Sequence, residues 1–211
     1  FCLSRGLGDV YKRQAYALGI RNVLAISGDY PKKAEHKAIR PVFDIDSVQL
    51  IKLIKDLNNG IDFFGEKLSG APDFTIGGVV NPGADPLEPQ IIKLKKKVDA
   101  GAEFIQTQIT YDVDEFRKFR DLVKDVKIKI LLGVLPFRSS KMAQFIAEGI
   151  PGVNVPKKLL DRISKAKDPI AEGIDIAAEI INGLNGYIDG VHFMTLNNVE
   201  VIPDILEKIK S

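Results

Sequence analysis

Short, nearly unbroken apolar runs alternate with amphipathic stretches from Ala15 to the end of this chain. An apolar period near 3.6 marks a helix face, and a short apolar block bounded by turn residues marks a buried strand. Asn22–Ile26 is the first predicted strand. A polar, proline-containing loop follows, then a helix from about Ser47 to Asn58 with Asp46 as its N-cap and Gly60 as its stop. Phe74–Val80 is the second strand. The loop Asn81–Pro86 (NPGADP) leads into a helix whose Leu87, Ile91, Leu94 and Val98 recur at helical spacing and which ends at Gly101. Phe104–Gln108, Ile128–Val134 and Val191–Met194 complete five predicted strands. Further helices are expected around Val113–Val123, Lys141–Glu148, Pro169–Asn182 and Glu200–Lys210.

Five strands with apolar interiors, each followed by a helix, predict an α/β protein whose parallel strands are covered by helices. A doubly wound nucleotide-binding sheet usually carries G-x-G-x-x-G after its first strand, and the sequence from Ala15 onward has none. That absence favours the (βα)8 TIM-barrel family, here as an incomplete barrel of about five βα units. In such barrels the chemistry sits at the strand C-termini and in the loops after them. SGDYP, NPGADP, TQITYD, LPFRSS and TLNN occupy those places here.

Phe1–Gln14 (FCLSRGLGDVYKRQ) breaks the pattern, with neither helix nor strand periodicity and no apolar core of a secretory signal. It reads as a non-native junction like those left at broken ends of reading frames, or as a disordered native tail; 15–211 reads as one run of βα units. With 45% hydrophobic and 27% charged residues and a net charge of +2, the full 211-residue chain has the composition of a soluble globular protein. Basic residues are dispersed among acids, which argues against a nucleic-acid partner, and no apolar run is long enough for a membrane span. A cytoplasmic location is the expectation. The single cysteine, Cys2, excludes a disulfide framework or a cysteine-built metal site within the chain, and His36 and His192 lack ligand spacing, so no metal is predicted.

Ser27–Pro31 (SGDYP), Phe43–Gln49 (FDIDSVQ), Asn81–Pro86, Lys95–Asp112, Val153–Pro156 (VNVP) and Val191–Asn197 (VHFMTLN), in this order and spacing, resemble the methylenetetrahydrofolate reductase family over nearly all of Ala15–Ser211. The resemblance implies a (βα)8 flavoprotein that passes a hydride through flavin N5 to 5,10-methylenetetrahydrofolate, giving 5-methyltetrahydrofolate. It implies FAD as cofactor, with FMN as the alternative, and NADH, NADPH or a ferredoxin-linked partner as electron donor; a homo-oligomer is compatible with it. It also implies that the match begins at the family's fourth strand. Three N-terminal units would then be absent, among them the strand bearing the family's glutamate acid. Two other readings stand beside it: the reductase part of a fusion with a homocysteine methyltransferase, or a non-enzymatic fragment or partner subunit.

Site residues follow from the same resemblance. Asp29 matches the family's aspartate that faces both flavin and pterin, where a carboxylate can accept pterin N–H hydrogen bonds and offset developing positive charge. Gln108, ending a strand with one donor and one acceptor group, matches the glutamine that contacts folate and nicotinamide in turn. Ser27, Gly28, Asp29, Phe43, Asp44, Asn81 and Ala84 match flavin-contacting positions, with Gly28 and Gly83 allowing close backbone approach and Asn81 able to hydrogen-bond the ligand. Lys93, Lys96 and Lys97, at i, i+3 and i+4, are expected to share one helix face toward the flavin phosphates. Met142 and Asn198 stand near positions where some members carry a glutamine and an arginine, which leaves the contacts to the glutamate tail undefined.

Overall fold

The computed structural model describes residues 11–27, 44–196 and 198–209. Asp29, Gly28, Phe43 and His36 therefore lie outside the described residues, as does Cys2. Five strands appear: β1 (Asn22–Leu24), β2 (Thr75–Val80), β3 (Phe104–Ile109), β4 (Lys129–Val134) and β5 (Gly190–Phe193). They are ordered across the sheet as they are along the chain, with β1 parallel to β2 and β4 parallel to β5. The helices are α1 (Ser47–Asn58), α2 (Glu88–Asp99), α3 (Val113–Leu122), α4 (Ser140–Gly149), α5 (Lys157–Lys165), α6 (Pro169–Gly183) and α7 (Val201–Lys208). Strands in chain order, each followed by a helix, are the repeating unit of a (βα)8 barrel, of which five are present among the described residues. The chain forms two compact units, one of Phe1–Val79 with Lys93–Phe104 and one of Val80–Ile92 with Ile105–Ser211.

In the first unit, α1 begins where predicted. The Asp46 side chain accepts from the Val48 and Gln49 amides at 2.9 Å while Gln49 Oε1 accepts from the Asp46 amide, a reciprocal capping box. Ile51, Ile54 and Leu57 then fall on one buried face, and Gly60, at φ +75°, ends the helix. Asn58 extends from the last turn to grip Phe74: its Nδ2 donates to Phe74 O at 2.8 Å and its Oδ1 accepts from Phe74 N at 3.0 Å. This fixes the entry to β2. Within β2, Gly77 leaves room for the Phe104 ring, whose nearest atom lies 2.2 Å from where a Cβ at position 77 would stand.

Two expectations fail in this unit. Strand β1 is not buried: Leu24 and Ile26 are 37% and 55% exposed, because among the described residues β1 pairs on one side only, with β2. Residues 11–17 are helical, so the last four residues of Phe1–Gln14 have the regular structure their sequence did not suggest. Tyr16 holds that helix down, its ring edge-on to Phe74 at 5.5 Å with the Arg21 guanidinium 3.8 Å over its face.

In the second unit, β4 contributes Ile130, Leu132 and Val134 to the core, and α3 adds Phe116 and Phe119, all at most 2% exposed. Asp112, Ser139 and Asp168 cap α3, α4 and α6 by accepting main-chain amide hydrogen bonds. Helix α6 lies flat on its neighbours at Gly173, where a Cβ would sit 1.9 Å from Phe137 O. Helix α5 went unread in the sequence, because it starts at Pro156 without a side-chain cap and follows directly on the VNVP motif. Leu159 and Ile163 are its buried face, and Arg162 ties it to α6 through Glu172 at 2.7 Å and Glu179 at 2.6 Å.

Candidate active site

In the first unit, the C-terminal end of β2 is backed by cations. Lys97, 4% exposed, donates from Nζ to Val79 O, and Lys93 Nζ lies 3.6 Å from Asp46 Oδ2. Burial pushes the Lys97 ammonium down to about 8, assisted by the neighbouring Lys93 and opposed by Asp46. Lys96 does not join them and is exposed. At about 100° per residue, position i+4 lies roughly 40° to one side of Lys93 and i+3 roughly 60° to the other, which divides the pair from Lys96. The expected three-lysine face is therefore divided: Lys97 reaches β2, Lys93 faces Asp46, and Lys96 is exposed. Ser27 and Asp44 belong to this unit and are exposed.

The second unit holds Gln108, Asn81, Gly83 and Ala84. Half-buried Gln108 bends its Oε1 back to its own neighbour's amide, Ile109 N, at 3.0 Å. Its Nε2 has no hydrogen-bond partner among the described residues and is a free donor near the end of β3. The main chain beneath it is braced by buried Thr107, whose hydroxyl donates to Gln108 O and accepts from Gly133 N, both at 2.9 Å. Replacing Thr107 by Val keeps the shape and removes this bridge. A cost of about 1–2 kcal/mol is expected, read as a melting temperature lower by about 2–8 °C; an unchanged melting temperature would show that the hydroxyl does not brace the strand.

Tyr111 and Phe137 were not foreseen. Their rings stack at 4.4 Å and 8°, and the Tyr111 hydroxyl donates to Leu135 O at 2.7 Å, so the segment after β3 is joined to the segment after β4. Burial drives the Tyr111 phenol far above its usual range and keeps it protonated. The only signal was an aromatic residue two or three positions beyond a strand end. Beside Tyr111 lies a cavity of about 340 Å³ walled by Asp112, Pro156, Arg162, Ile176 and Glu179. Of its charged residues, Asp112 caps α3 and Arg162 is held by Glu172 and Glu179.

Asn81, expected to address a ligand, turns inward. Its Oδ1 accepts from Gly83 N at 3.1 Å, its Nδ2 donates to Pro151 O at 3.4 Å, and its main-chain N–H donates to Gln90 Oε1 at 3.5 Å. Asn154 Nδ2 donates to Glu115 Oε1 at 2.6 Å, and burial raises the Glu115 carboxyl. Met142 and Asn198 are half-buried, their amides bonded to Ser139 Oγ and Thr195 O. No group of three or more metal-binding side chains occurs among the described residues, and none of the described helices is long and apolar enough to cross a membrane.

A family model described as methylenetetrahydrofolate reductase matches residues 8–210. The chain belongs to that family. Its match starts within Phe1–Gln14 and runs through every strand described above. Among curated relatives, Schizosaccharomyces pombe methylenetetrahydrofolate reductase 2 is 29% identical, the alignment covering 92% of this chain and 32% of that protein. The Escherichia coli 5,10-methylenetetrahydrofolate reductase is 27% identical over 87% of this chain and 58% of its own length, and the Buchnera aphidicola enzyme from Schizaphis graminum is 28% identical over 89% and 61%. This methylenetetrahydrofolate reductase family chain thus spans about a third to three-fifths of those relatives. A solved structure of an uncharacterized Clostridium thermocellum protein, described as binding two copies of 5-methyl-5,6,7,8-tetrahydrofolic acid, is also similar, with TM-score 0.48, 19% identity and coverage of 64% of this chain and 52% of that one.

Proposed function

We propose that this chain is the flavin- and folate-handling part of a flavin-dependent methylenetetrahydrofolate reductase, reducing 5,10-methylenetetrahydrofolate to 5-methyltetrahydrofolate. The family match over residues 8–210 carries the reading. FAD, with FMN as the alternative, would supply hydride transfer through N5. Two lysines support the reading: Lys97 spends one of three ammonium donors on Val79 O, and Lys93 adds charge one turn away.

Each remaining role belongs to a side chain. Lys97 and Lys93 hold anionic charge at the C-terminal end of β2. Gln108 offers its free Nε2–H to an acceptor on the pterin, its Oε1 being held by Ile109 N. Asp29 accepts hydrogen bonds from pterin N–H groups and stabilises positive charge as the methylene bridge opens. Ser27, Gly28, Phe43, Asp44 and Ala84 line the cofactor. Electrons come from NADH, NADPH or a ferredoxin-linked partner, and the location is the cytoplasm.

The full-length protein is expected to purify yellow and to pass electrons from 5-methyltetrahydrofolate to an artificial acceptor. A colourless, folded protein with no folate-dependent turnover would sink the proposal.

A further inference from the structure

The loop after β2 does not stand alone in the second unit. The segment 150–156, between α4 and α5, closes on it at three points. Asn81 Nδ2 donates to Pro151 O at 3.4 Å. Gly152, at φ +71°, lies so close to the same amide that a Cβ there would be 2.1 Å from Asn81 Nδ2. Gly83 lies equally close to the segment, since a Cβ on it would be 2.5 Å from Gly152 O and 3.2 Å from Glu115 Oε2. Glu115 is in turn held by Asn154, from within the same segment, at 2.6 Å.

Two glycines without space for a methyl group and an asparagine with both ends of its amide engaged describe a fitted joint. The positive φ at 152 makes glycine the residue that reaches it without strain. Asn81 Oδ1, accepting from Gly83 N, folds the first residues of NPGADP onto themselves, and Nδ2 fastens that fold to Pro151.

We propose that the 150–156 segment is a positioning clamp for the β2 loop, in which Gly152 and the Glu115–Asn154 pair hold Asn81–Gly83, so that Asn81 sets the loop's backbone for the cofactor and is not itself a cofactor ligand. The proposal rests on the flavin-binding reading above. Asn81 and Gly152 are positioning residues under it, and Ala84 makes its approach to the cofactor through a main chain they hold in place. The two sides are 70 residues apart along the chain, so neither could be recognised as the other's partner from local pattern.

The test uses the full-length protein, with hydrogen exchange of the apo form and FAD titration followed by flavin fluorescence. In Asn81→Ala, exchange is expected to quicken about tenfold at both 81–86 and 150–153, and FAD affinity to fall about three- to tenfold. Gly152→Ala does the same through the clash with Asn81. The double variant is expected to bind FAD no more weakly than the worse single variant, because both substitutions break one joint. Far-UV circular dichroism and the melting temperature confirm that each variant is folded. Apo exchange left unchanged in Asn81→Ala while affinity drops makes Asn81 a direct ligand and overturns the proposal. Faster exchange with unchanged affinity overturns it too, since the clamp would then not serve the site. A wild-type protein that binds no FAD removes the functional reading and with it the clamp's purpose, while exchange coupling between 81–86 and 150–153 still decides whether the joint exists.

Discussion

Gly173→Ala is expected to lower the melting temperature by about 6–12 °C, although alanine is the better helix former. Helix propensity alone would stabilise the substituted α6 by about 1 kcal/mol. The new methyl carbon, however, would stand 1.9 Å from Phe137 O, 2.8 Å from its C and 3.0 Å from its N. These are main-chain atoms, and no rotamer change moves them aside. Either α6 lifts off, uncovering Ile174, Ile176, Ala177, Ile180 and Ile181, or the segment after β4 retreats and takes Phe137 from its stack on Tyr111. Overpacking of this kind costs about 3 kcal/mol or more, which in a chain of this size is a shift of about 2–4 °C per kcal/mol. Gly149→Ala is the control. The nearest atoms to its Cβ position belong to the Phe145 ring at 3.5 Å, an ordinary contact, so a small gain is expected. Thermal unfolding followed by circular dichroism separates the two, and a Gly173→Ala protein melting within 2 °C of wild type would refute the close-approach argument.

Lys97→Met is expected to weaken FAD binding by about 10- to 100-fold in the full-length protein, the value of one charge-assisted hydrogen bond of about 1.5–3 kcal/mol. The pH dependence identifies the cause. In the folded protein Lys97 titrates at about 8, against 10.5 as its ordinary value, because burial disfavours the ammonium. Below pH 8 folded and unfolded chains both carry the proton, and the burial penalty is fully present. Between about 8 and 10.5 the unfolded chain binds the proton that the folded one has released, so stability rises with pH across that window. Flavin affinity has the opposite slope, since the neutral amine has lost the charge that attracts phosphate. Lys97→Met is expected to flatten both slopes, which isothermal titration and denaturant unfolding at pH 7, 8 and 9 would read. If wild-type affinity is as strong at pH 9 as at pH 7, Lys97 does not hold the phosphate.

What could be read in the sequence follows the range of the interactions involved. Helix α1 was legible with its bounds, because its N-cap, apolar face and terminal glycine are local signals within 15 residues of one another. Strands β2, β3 and β4 were legible to within a residue or so: β2 and β4 are mostly buried and mostly apolar, and β3 alternates buried Ile105, Thr107 and Ile109 with half-buried Phe104, Gln106 and Gln108. The exposure of β1 was hidden, because Asn22–Ile26 has the composition of a strand flanked on both sides. Position i+3 and position i+4 look equivalent in a sequence, yet Lys96 is exposed and Lys97 is buried beneath Val79 O. Gln108 was found at its strand end, whereas the turning of its Oε1 toward Ile109 N was not. Asn81 was assigned to the cofactor by the family resemblance, and its bond to Pro151 was hidden because Pro151 is remote in the chain. Tyr111 and Gly152 matter only through contacts with Phe137, Leu135 and Asn81, and no local period announces those.

Gly77 and Phe104 have a consequence for descent. One volume serves two positions: the ring that opens β3 fills the space that a side chain in β2 would need. A lineage that gains a methyl group at 77 must first shrink residue 104, and one that enlarges 104 is bound to glycine at 77. The pair is inherited as a unit, and relatives that differ at one of these positions should differ at the other in the compensating direction.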